Sequence, residues 1–256
     1  MKIARYEYQG KLAYGILDEE SDELVELHGD PILGAIETTE TRVALRDVRL
    51  LAPVIPRSKV VAFGRNYAEH AREMGGEVPD APMMFLKPNT AIIGPDYPIV
   101  LPEQSQQVEH EVELAVVIGS VARNVPAADA NQVIFGYTVA NDVTARDLQS
   151  TDGQWGRAKG FDTFCPLGPY IETEFDATEG VIGCKVNDET KQLGNLNQLE
   201  RSVASLVEFA SSVFTLLPGD VLLTGTPAGV GQLRDGDEVV CAIEGIGALR
   251  NPVTRP

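Results

Sequence analysis

The chain has 256 residues, 43% of them hydrophobic, with 21 lysine and arginine against 38 aspartate and glutamate, a formal net charge of −17. That apolar content supplies a sizeable core and excludes wholesale disorder, while the acidity argues against binding a phosphate backbone, which recruits clustered cations. No apolar run reaches the roughly 18–20 residues of a membrane span, and the start, MKIARYEYQG, lacks a signal-peptide core, so a cytoplasmic protein without nucleic-acid or membrane partners is expected.

Residues 1–50 read as a small β-rich unit. KIARYEYQG and KLAYGILD alternate on either side of Gln9-Gly10, the pattern of a hairpin. ELVEL is a further strand, and Pro31–Ile36 can open a short helix. Pro53 and Pro56 discourage a regular element over Leu50–Pro56. The chain is therefore divided there, into a small N-terminal domain (1–55) and a larger domain (56–256). KVVAF is a strand ending at Gly64, Asn66–Met74 favours helix, and Gly75-Gly76 ends it. Strands and turns then dominate to about Leu167, among them IFGYTVAND with Asn141-Asp142 at its polar end. One long helix is marked by Val203, Leu206, Val207, Ala210, Val213, Phe214 and Leu217 at three- and four-residue spacing. Pro218-Gly219-Asp220 stops it, and the strand VLLTG, a glycine-rich stretch (Gly225–Gly231) and a closing strand, DEVVCAIEG, follow. Strands outnumber helices without alternating with them, which predicts an α+β fold with a largely β core. Cys165, Cys184 and Cys241 are odd in number, far apart and without a CxxC pair. They read as small buried hydrophobes rather than a disulfide framework or a zinc site.

The sharpest chemical feature is VEHEVEL, residues 108–114. On a strand Glu111 and Glu113 project from one face, and the apolar AVVIG that follows makes the strand a central one. Carboxylates on a buried strand are costly and repel each other. A hard divalent cation would resolve both problems, oxygen donors suiting Mg²⁺, Mn²⁺ or Ca²⁺, and Asp142 offers a third carboxylate. The plain alternative is a solvated edge-strand face. His70 and Glu73 share a helix face, either as a general-base dyad or as an exposed pair without function. His110 faces away from Glu111 and suits packing, and His28 suits the surface. Arg65, Lys87, Arg146 and Lys159 flank these segments, each alone an ordinary surface or ion-pair residue. Lys159 lies in a glycine- and aromatic-rich stretch where a buried lysine can bind a carboxylate or oxyanion. TGTPAGVG lacks the P-loop lysine and the GxGxxG pattern. It is either a loop whose Thr224 or Thr226 hydroxyl and backbone N–H groups hold a carboxylate, or a plain turn.

Six motifs occur in order: GRNYAEH (64–70), FLKP (85–88), HEVEL (110–114), NDVTARDLQ (141–149), W-x-x-AKGFDTF (155–164) and LPGDVLLTGTPAGVG (217–231). From about Lys59 to Pro252 the chain thereby resembles the fumarylacetoacetate hydrolase family, closest to its small bacterial and mitochondrial members. These include acylpyruvate hydrolases, oxaloacetate decarboxylases and hydroxyheptadienedioate isomerases. The resemblance implies a mixed β-roll with a small β-rich N-terminal domain, usually as a homodimer. Motif by motif it implies Glu111, Glu113 and Asp142 as ligands of Mg²⁺ or Mn²⁺ and Lys159 as an active-site lysine. It further implies Gln149 and Thr226 as substrate contacts, and His70 with Glu73 as a catalytic dyad on a lid helix. Arg65 and Arg146 are motif positions grouped with the substrate-binding residues. Some members carry a second histidine where Glu109 stands, so this strand is the more acidic. The implied activity is cleavage of a C–C bond in a short 2-oxo acid through an enolate, by acylpyruvate hydrolysis or oxaloacetate decarboxylation. The alternative enzyme is a 2-hydroxyhepta-2,4-diene-1,7-dioate isomerase. The alternative outside catalysis is a silent cation-binding scaffold, against which the intact dyad and lysine count.

Overall fold

Short strands make this chain a β protein, and alternating burial shows most plainly over Val181–Val186, Glu238–Ile243 and Gly247–Thr254. In the computed structural model, which describes residues 1–256, the amino-terminal strands are β1 (Lys2–Tyr8), β2 (Lys11–Asp18), β3 (Glu23–Leu27), β4 (Thr38–Ala44) and β5 (Arg49–Leu51). The chain continues through β6 (Val60–Gly64), helix α1 (Ala68–Glu73), β7 (Met83–Lys87), β8 (Ile92–Ile93) and β9 (Ile99–Val100). Next come β10 (Val108–His110), β11 (Val112–Ile118), β12 (Ile134–Asn141), β13 (Thr144–Ala145), α2 (Arg146–Asp152) and α3 (Gly156–Gly160). β14 (Cys165–Glu172), β15 (Val181–Val186), β16 (Glu189–Asn195) and α4 (Val203–Val213) follow. The chain ends in β17 (Val221–Leu223), β18 (Gly231–Gln232), β19 (Glu238–Ile243) and β20 (Gly247–Thr254).

The strands form three sheets. The largest runs β4-β3-β2-β1-β14-β12-β11-β17-β6-β7, with β5 on β1 and β8 on β14. A second has the order β13-β10-β18 and a third β16-β15-β19-β20-β9. The amino-terminal hairpin is continuous with the large sheet, because Lys2 and Ile3 pair with Glu172 and Ile171. It also keeps a small core of its own around Ala4, Tyr6 and Leu24. β11 is buried along its whole length between β12 and β17, as an interior strand must be. The fold is α+β with few helices, as the scarcity of helical periodicity predicts, and no helix is long and apolar enough to cross a membrane.

Several local expectations are corrected. Pro31–Ile36 makes no helix; the side chain of Asp30 accepts from the Ile32 N–H and its carbonyl from Leu33 and Gly34, which closes an isolated turn. Arg49–Leu51 is a short strand on β1 before the prolines interrupt it. α4 ends at Val213 although apolar spacing continues to Leu217, because Leu216 exchanges backbone hydrogen bonds with Ala122 instead. The chain does not close on Glu238–Ile243: a turn returns it as β20. α2 and α3 arise where strands and turns are expected, too short to show a periodic stripe. The three cysteines are buried free thiols, though Cys184 and Cys241 face each other across β15 and β19.

Asp220 ties the loop after α4 to the start of β6. Its buried carboxylate accepts from the Ser58 hydroxyl (2.7 Å), the Lys59 N–H (3.1 Å), the Lys59 ammonium (2.6 Å) and the Leu217 N–H (2.9 Å). Asp220→Ala leaves these donors without a partner and is expected to lower unfolding free energy by about 3 kcal/mol. Urea denaturation would show this as a lower midpoint at unchanged slope.

Candidate metal centre and cleft

The site begins at a corner in the backbone. β10 belongs to the three-stranded sheet and β11 to the large one, and Glu111 is the single residue between them. The neighbouring chain makes the same crossing between β12 and β13, with Asp142 in the gap. The two corners are joined by the Asp142 N–H donating to the Glu111 carbonyl (2.8 Å) and the Glu111 N–H to the Asn141 side chain (2.9 Å). Residues released from ladder pairing at a shared corner can aim both carboxylates into one space. Glu113, two residues along β11, aims at the same space, and one oxygen from each of Glu111, Glu113 and Asp142 lies within 4.8 Å of the others.

All three are buried, which rules out the solvated edge-strand alternative. Lys159, also buried, donates to Glu111 (2.7 Å) and Asp142 (2.6 Å), with its ammonium 5.2 Å from the centre of the Phe85 ring. Lys87 is 1% exposed and donates to the other oxygen of Asp142 (2.5 Å). The Arg146 guanidinium uses Nε on Glu109 (2.8 Å), one terminal nitrogen on Glu111 (2.5 Å) and the other on Gln149 (2.7 Å). Burial alone would raise the Glu111 pKa, but Lys159 and Arg146 outweigh it and hold Glu111 far below the ordinary carboxylate range. Glu113 goes the other way: burial first, then Asp142 and Glu111, push it well above that range. It accepts only the Gly225 N–H (2.6 Å) among the polar groups that touch it. Gly225 has φ +105°, and a Cβ there would meet Asn66 at 2.8 Å, so glycine permits this approach.

These observations test whether a cation fits. The donor set is oxygen only, which suits Mg²⁺ or Mn²⁺. The one carboxylate without a cationic partner, Glu113, is the one whose charge is suppressed, and a divalent ion would supply what it lacks. The Tyr67 hydroxyl, near enough for Glu113 to raise its pKa, and the Asn141 amide nitrogen are buried with no hydrogen-bond partner. Both are placed like groups that meet ion-bound water or ligand. The residues present fit such a group.

Above the carboxylates opens a cleft of about 260 Å³, walled by Arg65, His70, Glu111, Arg146, Gln149 and Lys159, with Trp155 and Met74 as its apolar surface. His70 is buried and its Nδ1 lies 3.0 Å from Glu73. A carboxylate can only accept, so Nδ1 carries the proton and Nε2 is left as the basic nitrogen. The second oxygen of Glu73 accepts the Gly229 N–H (3.0 Å), tying α1 to the glycine-rich loop. His70 and Glu73 are therefore hydrogen-bonded to each other rather than splayed on an exposed face.

Other expected residues sit at the edge of this arrangement. Thr226 does not wall the cleft; it is 1% exposed, and its hydroxyl oxygen accepts from Gln192 (2.7 Å), leaving its own proton free to donate. The glycine-rich loop does hold a carboxylate with a backbone N–H, but it is that of Glu113. Sequence reasoning passed over Gln192. Fully buried on β16, it accepts from the Val112 N–H and His110 Nδ1 and donates to Thr226 and the Pro227 carbonyl. It thereby fixes the start of β11 and the threonine loop together, with His110 packed behind the strand. Lys87 and Glu109, ambiguous in sequence, are buried partners of the site. Only the F-L-K-P and V-E-H-E motifs themselves could have flagged them.

The chain is similar to known proteins along its whole length. Residues 59–254 match the family model described as fumarylacetoacetate (FAA) hydrolase C-terminal, and residues 1–53 match one described as Rv2993c-like, N-terminal. Protein Rv2993c of Mycobacterium tuberculosis is 49% identical, over 100% of this chain and 98% of its own. Human mitochondrial oxaloacetate tautomerase FAHD2A is 45% identical, over 81% of this chain and 70% of its own. The crystal structure of 5-carboxymethyl-2-hydroxymuconate delta-isomerase from Mycobacterium smegmatis is 48% identical and superposes with a TM-score of 0.94, covering 100% of both chains. The match over 59–254 is backed by relatives near 50% identity along the whole length, and the chain belongs to the fumarylacetoacetate hydrolase family.

Proposed function

We propose that this protein is a divalent-metal-dependent enzyme that forms the enolate of a short 2-oxo acid and cleaves the adjacent C–C bond, with oxaloacetate decarboxylation and acylpyruvate hydrolysis as its reactions. The observation that carries this is one juxtaposition. Three buried carboxylates converge within 4.8 Å, and one of them, Glu111, lines a cleft whose wall also holds the His70 imidazole, hydrogen-bonded to Glu73.

A divalent cation held by Glu111, Glu113 and Asp142 would supply Lewis-acid stabilisation of charge developing on a 2-oxo oxygen. The chain's own groups do the rest. Lys159 and Arg146 bring fixed positive charge to the cleft wall, which draws an anionic substrate despite the overall −17. His70 Nε2 takes a proton from water as it attacks an acyl carbon, the C–C bond breaks, and its electron pair becomes the pyruvate enolate. For oxaloacetate the bond to the departing CO₂ breaks without attacking water, and the enolate is then protonated at C3.

A second reading is proton transfer alone. It is favoured by the names of the human relative, a tautomerase, and of the M. smegmatis structure, an isomerase, at 45% and 48% identity. Incubating oxaloacetate or acetylpyruvate with the Mg²⁺-loaded protein in D₂O separates the two. Pyruvate with CO₂ or acetate supports cleavage, whereas deuterium at C3 without new products supports tautomerisation. Loss of all turnover in EDTA is expected either way, and persistence of turnover there would refute the metal-dependent reading.

Two further outcomes are expected. Glu113→Ala should abolish both Mg²⁺ binding and turnover, whereas His70→Ala should slow acylpyruvate hydrolysis by about 10²–10⁴-fold while keeping Mg²⁺ affinity within about threefold. Equal loss of Mg²⁺ binding in both would refute the division of roles. Second, Glu113 must shed its proton to bind an ion, and its raised pKa extends the protonated form above the ordinary carboxylate range. Ion binding therefore releases a proton, and affinity rises with pH until Glu113 is ionised without help, by up to about tenfold per pH unit. Mg²⁺ titrations by calorimetry at successive pH values above the ordinary carboxylate range should show this rise, and a flat profile would argue against Glu113 as a ligand.

A further inference from the structure

The third sheet carries a pair of reactive side chains that the 2-oxo acid chemistry does not use. Cys184 on β15 and Cys241 on β19 lie opposite each other in an unbroken antiparallel register. At one end of this ladder the Glu244 N–H donates to the Val181 carbonyl, and at the other the Asn187 N–H donates to the Glu238 carbonyl. Hydrogen-bonded pairs alternate with open ones along an antiparallel ladder. The odd-numbered residues of β15 are therefore the bonded ones, and Cys184 faces Cys241 across an open pair. At such a pair the Cα atoms approach to about 4.5 Å and the side chains lie closest, within the roughly 4.4–6.8 Å that a disulfide spans. Both side chains also point into the core, because burial alternates along β15 and β19 with each cysteine at a buried position. The backbone thus holds the two sulfurs where a bond between them needs no rearrangement of the strands.

The two thiols are not alike. Contact with the Cys241 thiol, and then with His110, holds the Cys184 thiol below the ordinary thiol range, whereas burial pushes Cys241 well above it. A thiolate is the nucleophile toward an oxidant, and a neighbouring thiol resolves the product. The outer side of β15 at Gly183 and Cys184 borders a hollow of about 500 Å³, so one strand's thickness separates the pair from solvent. Cys165 lies apart, in a different buried cluster that holds no second thiol. Cys184 is also opposite Gln192 on β16, the amide that fixes the start of β11 and the threonine loop. A bond between the two sulfurs would brace the sheet that carries this amide.

We propose that Cys184 and Cys241 are a redox-active dithiol that a hydroperoxide closes, reversibly, to a cross-strand disulfide bracing the third sheet behind the candidate metal centre. The Cys184 sulfur attacks one oxygen of hydrogen peroxide, the O–O bond breaks, and the departing hydroxide takes up the proton that Cys184 gave up and leaves as water. The Cys241 sulfur then attacks the sulfenic sulfur, the S–O bond breaks, and the second oxygen leaves as water with the Cys241 proton. The thiol pair gives up two electrons and one peroxide is reduced to two waters. The folded, reduced protein, treated with hydrogen peroxide and alkylated after denaturation, should go from three reactive thiols to one and lose the mass of two hydrogen atoms. Peptide mapping should join Cys184 to Cys241 and find Cys165 alkylated, and dithiothreitol should restore all three thiols. Cys165→Ser should close as the unmodified protein does. Cys241→Ser should instead hold a sulfenic acid at Cys184, trapped by dimedone, and Cys184→Ser should lose thiols at least about tenfold more slowly. The closed form should unfold at a higher urea midpoint than the reduced form, because a long loop is tied off in the unfolded chain. Persistence of three thiols, closure only after unfolding in urea, oxidation of a single cysteine in place of the pair, a link between molecules, or a closed form no more resistant to urea would each overturn the proposal.

Discussion

Four carboxylates are held out of water within one small region, and the rest of the site is an answer to that cost. Isolated buried charges are prohibitive, so Lys87, Lys159 and Arg146 are drawn in and themselves buried. Each cation neutralises some carboxylates and leaves one, Glu113, unanswered by any side chain. Glu113, buried beside Asp142 and Glu111, is accordingly the carboxylate pushed toward its neutral form. On the proposed reading the same region is also where a strongly acidic chain receives an anion. The global field opposes approach, but charges at close range in a low-dielectric cleft outweigh a diffuse and screened surface.

Topology supplies the convergence. A strand pleats its side chains to alternate faces, so two carboxylates on one strand can share a direction, but a third from a neighbouring strand needs a change of course. The paired crossings at Glu111 and Asp142, where adjacent chains leave the large sheet for the three-stranded one, provide it. Asn141 fills the hydrogen-bonding gap that the crossing opens. Gln192 performs a similar service from a different sheet, so the floor of the cleft and the threonine loop are set by one amide.

Much of this was legible in the chain. The hairpin about Gln9-Gly10, the interior character of β11 and the α4 stripe follow from local periodicity, which is where sequence carries its strongest signal. Glu111, Glu113 and Asp142 stood out because acids abutting apolar runs are improbable without compensation. Other features depend on distance in the fold. Lys87 is a lone lysine near the end of an ordinary strand, and only its 55-residue partner Asp142 makes it part of the site. Gln192 lies among exposed polar residues of β16, where nothing local distinguishes the one that points inward. α2 and α3, 7 and 5 residues long, are shorter than the window over which a helical period can be recognised. Glu109, ambiguous as a single letter, is settled by the Arg146 side chain that reaches it.

Glu73 has two oxygens and uses them on two different structures: one orients the imidazole on its own helix, the other grips the amide of Gly229 in the glycine-rich loop. A Cβ at Gly229 would lie 2.1 Å from the Lys191 carbonyl, so only glycine lets the loop pass this close to β16. The carboxylate that aims the imidazole is thus itself anchored from outside its helix. Loosening the loop would therefore misalign the base without touching it.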